Sequence, residues 1–373
     1  MSKKLVGLIE GYRKQKNIFR RGLFSLLIKR EKFKLIKLIW LLSLKLRVKK
    51  SDKIKVCFGP IIEREDTLGF RKWGIDPIVK GINKKSKKYV ADIFFGDEDL
   101  SKFNIIVIVK NFDNISKEII KNLKENKTTL IYNPRDNPAG CRESHEENRW
   151  FIKSMAGIIT SNPRQEKSFK ENDRHIKLIA SPIISRKYKI DYKKKENLDV
   201  IWQGHSYNLK YMYRLHPIIK KINEETKNRI HLVYHTERPP EQIDTGIIRY
   251  LKWKISDWED MLVKSDIGVV IKPIGNKHQQ RKPPTKILTY MAAGLPTICT
   301  PTAADKLVMK HGETGFFAYT DEEWNKYLRL LIEDPKLRER IGKAAREYAA
   351  KHYHIEKITK EYTDFFDLLL RKK

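Results

Sequence analysis

Between Lys53 and Lys373 the chain sets short apolar runs against helix-patterned stretches, and it does so in two successive series. Candidate strands of the first are Ile54 to Phe58, Tyr89 to Phe95, Ile105 to Val109, Thr129 to Tyr132, Gly157 to Thr160 and Ile176 to Ala180, with helical patterns such as Ser116 to Glu125 and Pro163 to Glu171 between some of them. Parallel strands cannot be joined by a tight turn and need a crossover, usually a helix, so this alternation is the pattern of a parallel α/β sheet. The segment Ser185 to Asn197 is rich in Lys and almost without apolar periodicity, which reads as a linker. Beyond it the alternation restarts. Strands are expected at Val200 to Gln203, His231 to His235, Ile267 to Lys272, Thr297 to Cys299 and Gly315 to Ala318. Helices are expected at Tyr207 to Asn223, Trp258 to Lys264, Thr285 to Ala293, Ala304 to Met309, Asp321 to Glu333, Pro335 to His352 and Ile355 to Leu370.

Two such series in tandem imply two Rossmann-like domains facing a cleft, where ligands gather at the carboxyl ends of the strands. The division is a basic extension at 1–52, a first domain at 53–185, a linker at 186–197, a second domain at 198–352 and a terminal helix at 353–373. A chain of 373 residues has ample length for two buried cores. With 40% hydrophobic and 33% charged residues it is neither disordered, nor collagen-like, nor a polytopic membrane protein.

The net charge of +32 is unevenly spread, since residues 1–50 hold 16 Lys or Arg against Glu10 and Glu31, a local +14. There the bases alternate with Leu23, Phe24, Leu27, Ile28, Leu35, Ile36, Ile39 and Trp40, the pattern of a basic amphipathic helix or pair of helices. Cys57, Cys141 and Cys299 form no Cys-x-x-Cys pair and no even set, so no disulfide framework or zinc knuckle is expected and a reducing compartment is the default. No run of eighteen uncharged apolar residues occurs, and no signal-peptide cleavage pattern follows the first apolar stretch. A cytoplasmic protein is expected, free or peripheral on the inner face of a membrane.

The most informative stretch is Arg281 to Pro296, RKPPTKILTYMAAGLP. A Pro-rich loop opens a helix at about Thr285, whose first backbone amides favour a phosphate, and Gly294 closes it as a C-terminal cap. Lys286 falls in the first turn, where a cation opposes the helix dipole; an anionic ligand is a reason for it to be there.

The run from Lys286 through Tyr290 and Gly294 to Pro296 resembles the nucleotide-sugar helix of GT-B glycosyltransferases, family 4-like with a group 1 C-terminal domain. Gly204-His205 with Lys210 resembles the family's diphosphate loop, Trp258 to Val270 the helix and strand ahead of its sugar loop, and Gly312 to Phe317 its later glycine turn. The resemblance covers residues 198–365 well and the first domain by layout. It implies a GT-B fold with the last helix packing back on the first domain. It implies no cofactor beyond the nucleotide-sugar donor, no metal, and donor contacts from Gly204, His205, Lys210, Arg281, Lys286 and Thr289. Two positions depart from it. Retaining members carry glutamates eight apart where this chain has Arg281 and Thr289, and an Arg where it has His205.

The catalytic group should come from the first domain. The polar loop after Tyr132 offers Asp136, with an Asx turn before Pro138 as its plain alternative, and His145. Acceptor-side candidates in the loop Gly59 to Gly81 are Glu63, Asp66, Gly69, Trp73 and Gly74. Asp97-Glu-Asp99 has the D-x-D form of a GT-A metal site, a reading in which the second α/β unit has no place. His231 and His235 are four apart, but on a strand and without a third ligand they read as core or edge residues.

The leading expectation is transfer of a hexosyl unit from a nucleotide-diphosphate sugar to a glycan or lipid-linked, cell-envelope acceptor hydroxyl beside an anionic membrane surface. A UDP-sugar 2-epimerase shares the architecture. The alternatives are a catalytically inactive GT-B subunit, suggested by the missing Glu at Thr289, and a nucleic-acid-binding protein, suggested by charge alone. Against the last stand the dominance of Lys over Arg and the lack of a recognised motif.

Overall fold

In the computed structural model the described residues are 52–61, 74–95, 99–110, 115–135, 146–170, 174–189, 191–193, 195–226, 229–241, 246–254 and 256–371. The basic extension therefore lies outside them. The first series folds as β1 (Ile54–Gly59), α1 (Asp76–Lys85), β2 (Tyr89–Ile93), β3 (Ile105–Val109), α2 (Lys117–Glu125), β4 (Thr129–Asn133), α3 (Glu146–Ser154), β5 (Gly157–Thr160), α4 (Pro163–Phe169) and β6 (His175–Leu178). The second runs β7 (Asn197–Gln203), α5 (Leu215–Glu225), β8 (Arg229–Thr236), β9 (Ile248–Lys252), α6 (Trp258–Lys264) and β10 (Ile267–Ile271). It continues with α7 (Thr285–Ala292), β11 (Thr297–Thr300), α8 (Ala303–Val308), β12 (Phe316–Phe317), α9 (Asp321–Glu333), α10 (Pro335–His352) and α11 (Ile355–Arg371).

Each series makes one parallel six-stranded sheet, ordered β2-β1-β3-β4-β5-β6 and β12-β11-β10-β7-β8-β9, so the two-domain α/β expectation holds. The central strands are apolar on both faces: every residue of β3 (IIVIV) and of β10 (IGVVI) is buried, as a sheet covered by helices on both sides requires. Helix starts follow their capping residues. Ser116 accepts from the Ile119 amide, Asn162 precedes Pro163 at the start of α4, and Thr320 with Glu323 forms a capping box on α9.

Three elements escape the hydrophobic pattern. Edge strand β9 has exposed Arg249 and Lys252 within its five residues and so presents no apolar run, while α1 and α3 are only 10 and 9 residues long. One expected helix is broken. Tyr207 to Asn223 divides into a 3-10 segment Ser206–Tyr211 and α5, because Pro217 has no N–H and its ring excludes the carbonyl four residues back.

The final helix α11 lies against the first sheet. Tyr362 and Phe366 pack on Phe58 at ring distances of 6.1 and 6.5 Å, Phe366 meets Tyr89 edge-on at 5.5 Å, and the Tyr89 hydroxyl donates to Asp367 at 2.7 Å. Gly157 makes this approach possible, since a Cβ there would stand 2.8 Å from the Phe365 ring. The linker is fixed to the second domain. Buried Lys189 donates to the Ser265 carbonyl at 2.8 Å, Tyr192 donates to the Gly294 carbonyl at 2.6 Å, and Arg338 donates to the Lys193 carbonyl at 3.0 Å. The two chain crossings meet where the Ile183 amide donates to the Tyr353 carbonyl at 2.9 Å.

Candidate functional site

Helix α7 begins after Pro283 and Pro284, with Pro284 as its N-cap, and ends at Gly294, whose φ of +68° is the left-handed conformation expected of a helix stop. Its side chains Ile287, Leu288, Tyr290 and Met291 are buried in the core, so the helix is held from behind. Tyr290 also reaches the end of β7, where its hydroxyl accepts from the Gln203 amide at 2.8 Å. That bond sets Gly204 beside the first turn of α7. A Cβ on Gly204 would run into the Trp202 ring and stand 3.1 Å from the Lys286 ammonium, which itself lies 5.6 Å from the centre of the Trp202 ring. Two motifs 82 positions apart thus meet at one point, and Gly204 is required there because any side chain would occupy the space between β7 and Lys286.

Lys286 is half-buried, and among the described residues no carboxylate pairs with it. Burial, reinforced by Lys282 and Lys272, lowers its pKa from the ordinary lysine range to about 7. A cation placed at a helix N-terminus, desolvated and without a counter-ion is a group poised to be satisfied by an incoming anion.

The other donor-side candidates fall around this centre. His205 stacks on exposed Tyr207 at 5.4 Å, and its Nδ1 lies 3.9 Å from Glu237, whose carboxylate also accepts from the Ser206 amide at 3.0 Å and the Ser206 hydroxyl at 2.8 Å. Lys210 is exposed on the 3-10 segment, its ammonium 5.4 Å from the Tyr211 ring. Arg281 closes a helical turn at Lys277–Gln280. Thr289 is buried and its hydroxyl donates to the Thr285 carbonyl at 2.7 Å, so this side chain is spent on its own helix. Asp136, His145, Glu63, Asp66, Gly69 and Trp73 lie outside the described residues.

Sequence patterning did not single out the residues that fix the loop ahead of α7. Asn162, at the carboxyl end of β5, caps α4 with its side-chain oxygen and donates through Nδ2 to the carbonyls of Gln280 and Lys282, both at 3.0 Å. Gln165 donates to the Arg281 carbonyl at 3.2 Å and to the Arg135 carbonyl. The first domain thereby holds the Pro-rich loop of the second. Its only sequence trace is a Ser-Asn-Pro helix start, which predicts a cap and nothing more. Behind the loop, Lys272 and Asp305 form a buried ion pair at 2.7 Å.

Among the described residues no group of three or more His, Cys, Asp or Glu stands close enough to hold a metal ion. Asp99 accepts from the Ser101 amide and hydroxyl in a local turn, while Asp97 and Glu98 lie outside the described residues. No described helix is long and apolar enough to cross a membrane.

Residues 283–348, which contain α7, match the family model described as Glycosyl transferases group 1. Among solved structures, HepE of Anabaena in complex with UDP and glucose is 11% identical with a TM-score of 0.56, over 84% of this chain and 99% of that one. Sucrose-phosphate synthase from Thermosynechococcus elongatus is 10% identical with a TM-score of 0.60, over 86% and 100%. A glycosyltransferase from Rickettsia africae is 9% identical with a TM-score of 0.58, over 87% and 100%. At these identities the likeness speaks for the fold, which is GT-B. With a group 1 segment built around Lys286 in that fold, the protein is a glycosyltransferase. No curated protein sequence matches the chain.

Proposed function

We propose that the protein moves a hexosyl unit from a nucleotide-diphosphate sugar to an acceptor hydroxyl. The observation that carries this reading is the unpaired, half-buried Lys286 ammonium beside Gly204 at the start of α7. As the glycosidic bond stretches, negative charge builds on the departing diphosphate. Lys286, the first amides of α7 and Lys210 from the adjoining turn are the groups available to neutralise it, which is the chief electrostatic demand of the reaction. In this reading lysines and helix amides supply the positive charge, and no metal is called on. HepE is a GT-B structure solved with UDP and glucose, and that supports a uridine nucleotide as the first donor to try. Screening UDP-, GDP-, ADP- and dTDP-sugars by thermal shift should give one nucleotide that raises the melting temperature in a concentration-dependent way. A flat response to the whole panel would remove the reading.

The position of Thr289 keeps a second reading, a catalytically inactive GT-B subunit, because the ribose-binding carboxylate of retaining members is replaced by a hydroxyl bonded to Thr285. Slow hydrolysis of the bound donor without acceptor separates the two: turnover supports the enzyme, and binding without turnover the subunit.

The acceptor in this proposal is a lipid-linked or cell-envelope glycan, and the +14 of residues 1–50 brings the enzyme to an anionic cytoplasmic membrane face. Each Lys or Arg near such a surface contributes about 1 kcal/mol at low screening, and Trp40 and Phe24 supply apolar side chains to insert. The full-length chain should sediment with vesicles rich in anionic lipid at low salt, and deletion of residues 1–50 should abolish this. Equal sedimentation of both forms, or of neither, contradicts it.

A further inference from the structure

His235, the penultimate residue of β8, lies next to the donor loop and is fully buried, yet neither the resemblance nor the proposed chemistry gives it a task. Its surroundings fix its hydrogen state. The Gln203 side-chain nitrogen donates to the Trp258 carbonyl at 2.8 Å, which identifies that atom as nitrogen, and it stands 2.9 Å from His235 Nδ1. An amide nitrogen can only donate. His235 Nδ1 is therefore the bare, accepting nitrogen, and the ring proton sits on Nε2, 3.6 Å from Asp257 Oδ1; neither of these buried atoms has a hydrogen-bond partner among the described residues.

The backbone carries the same connection forward. The Gly204 amide donates to the His235 carbonyl at 3.3 Å, and the Gln203 amide donates to Tyr290 of α7. His235 thus grips Gln203 by side chain and Gly204 by main chain, and Gly204 is the residue that leaves room for Lys286. We propose that His235, in its Nε2-protonated neutral form, is a positioning residue that holds the Gln203-Gly204 segment in its donor-binding conformation, and that protonation at Nδ1 releases it. A second proton on the ring would set two donors, Nδ1–H and the Gln203 amide, against each other.

The groups facing the ring bear this out. From β7 comes neutral Gln203, from the turn before α6 the Asp257 carboxylate and the Trp258 carbonyl, and from β9 the backbone of Lys252. Burial lowers the imidazole pKa, and it outweighs the opposing pull of Asp257 and of the Lys252 backbone. The sign follows. Between the folded-state value and the ordinary histidine value the unfolded chain holds more protons, so the loop is secure above about pH 6.5 and stability is lost as pH falls from there through the folded pKa.

The inference rests on the donor reading above, so its test has one ligand-free arm. Heteronuclear NMR of the ligand-free protein above pH 7 should show His235 as the neutral Nε2–H tautomer; an Nδ1–H tautomer overturns the proposal whether or not any nucleotide binds. The second arm uses UDP-glucose, whose diphosphate has no titration near pH 6. Wild-type affinity should fall, by up to tenfold per pH unit, once the pH is taken below the folded-state titration of the ring, whereas His235→Asn, whose side-chain oxygen accepts from Gln203 and cannot titrate, should keep neutral-pH affinity and lose the acid limb. His235→Leu should weaken binding about fivefold or more at neutral pH. An unchanged acid limb in a folded His235→Asn variant overturns the positioning role. Absence of UDP-glucose binding in all forms, with the expected tautomer, counts instead against the donor reading.

Discussion

Replacing Lys286 with alanine should cost the enzyme at least tenfold, and on the order of a hundredfold, in affinity for its nucleotide-sugar donor, while the folded protein remains intact. The magnitude is that of one charge-assisted hydrogen bond, about 1.5–3 kcal/mol. The pH dependence is a sharper check. With its pKa held down near 7 by burial and by Lys282 and Lys272, Lys286 is neutral in much of the ligand-free protein at pH 8, and an anionic diphosphate has to bring a proton with it. Donor affinity should therefore fall by up to tenfold per pH unit above about 7, and in Lys286→Ala this alkaline limb should be gone. For the ligand-free protein the sign is opposite. The burial cost of the charge is felt in full below pH 7 and is relieved as pH rises from about 7 toward the ordinary lysine value, so the alanine variant should melt no lower than wild type at pH 6. Calorimetric titration from pH 6 to 9 reads both effects. An affinity equal to wild type in the folded variant would remove Lys286 from the site.

How much of this was legible in the sequence depended on whether a feature is local. Strands β3, β5 and β10 are continuous apolar runs bounded by turns, and helices α9 and α10 carry their caps and breakers within a few residues, so the pattern located them. Helix α7 announced itself through Pro284, Lys286 and Gly294, each of which has a physical reason to be there. Edge strand β9 did not, because exposed Arg249 and Lys252 interrupt its apolar run. The meeting of Gly204 with Lys286 was reached by resemblance alone, since no periodicity links positions 82 apart. Nothing in the chain marks Asn162, Gln165, Gln203 or His235 as a group. Their roles arise from carbonyls and amides of distant segments, and a side chain that bonds a backbone leaves no residue-type signature at the other end.

The buried pair Lys272–Asp305 shows what the site needs from below. Asp305 is wholly buried, takes two contacts from the Lys272 ammonium at 2.7 and 2.8 Å, and accepts from the Thr302 amide at 2.8 Å and hydroxyl at 2.9 Å as the capping box of α8. Lys272 in turn offers its carbonyl to Gln280 at 3.3 Å in the loop ahead of α7, so the pair underlies the segment that presents Lys286. Removing one member of a buried pair leaves an uncompensated charge, a loss of roughly 3–5 kcal/mol, whereas replacing both by apolar residues of similar volume is often close to neutral. Asp305→Ala should accordingly shift the urea midpoint strongly downward, and the loss of the cap adds to it. The double variant Lys272→Met with Asp305→Leu should recover most of the pairing loss but not the cap. Function should separate the two further. In the single variant Lys272 becomes a second unpaired cation near Lys286, and since Lys272 already helps to lower the Lys286 pKa, the alkaline limb of donor binding should move to lower pH. In the double variant, with the Lys272 charge removed, it should move to higher pH than in wild type. A midpoint for Asp305→Ala within error of wild type, or a double variant as unstable as the single one, would show that the pair is not what supports this loop.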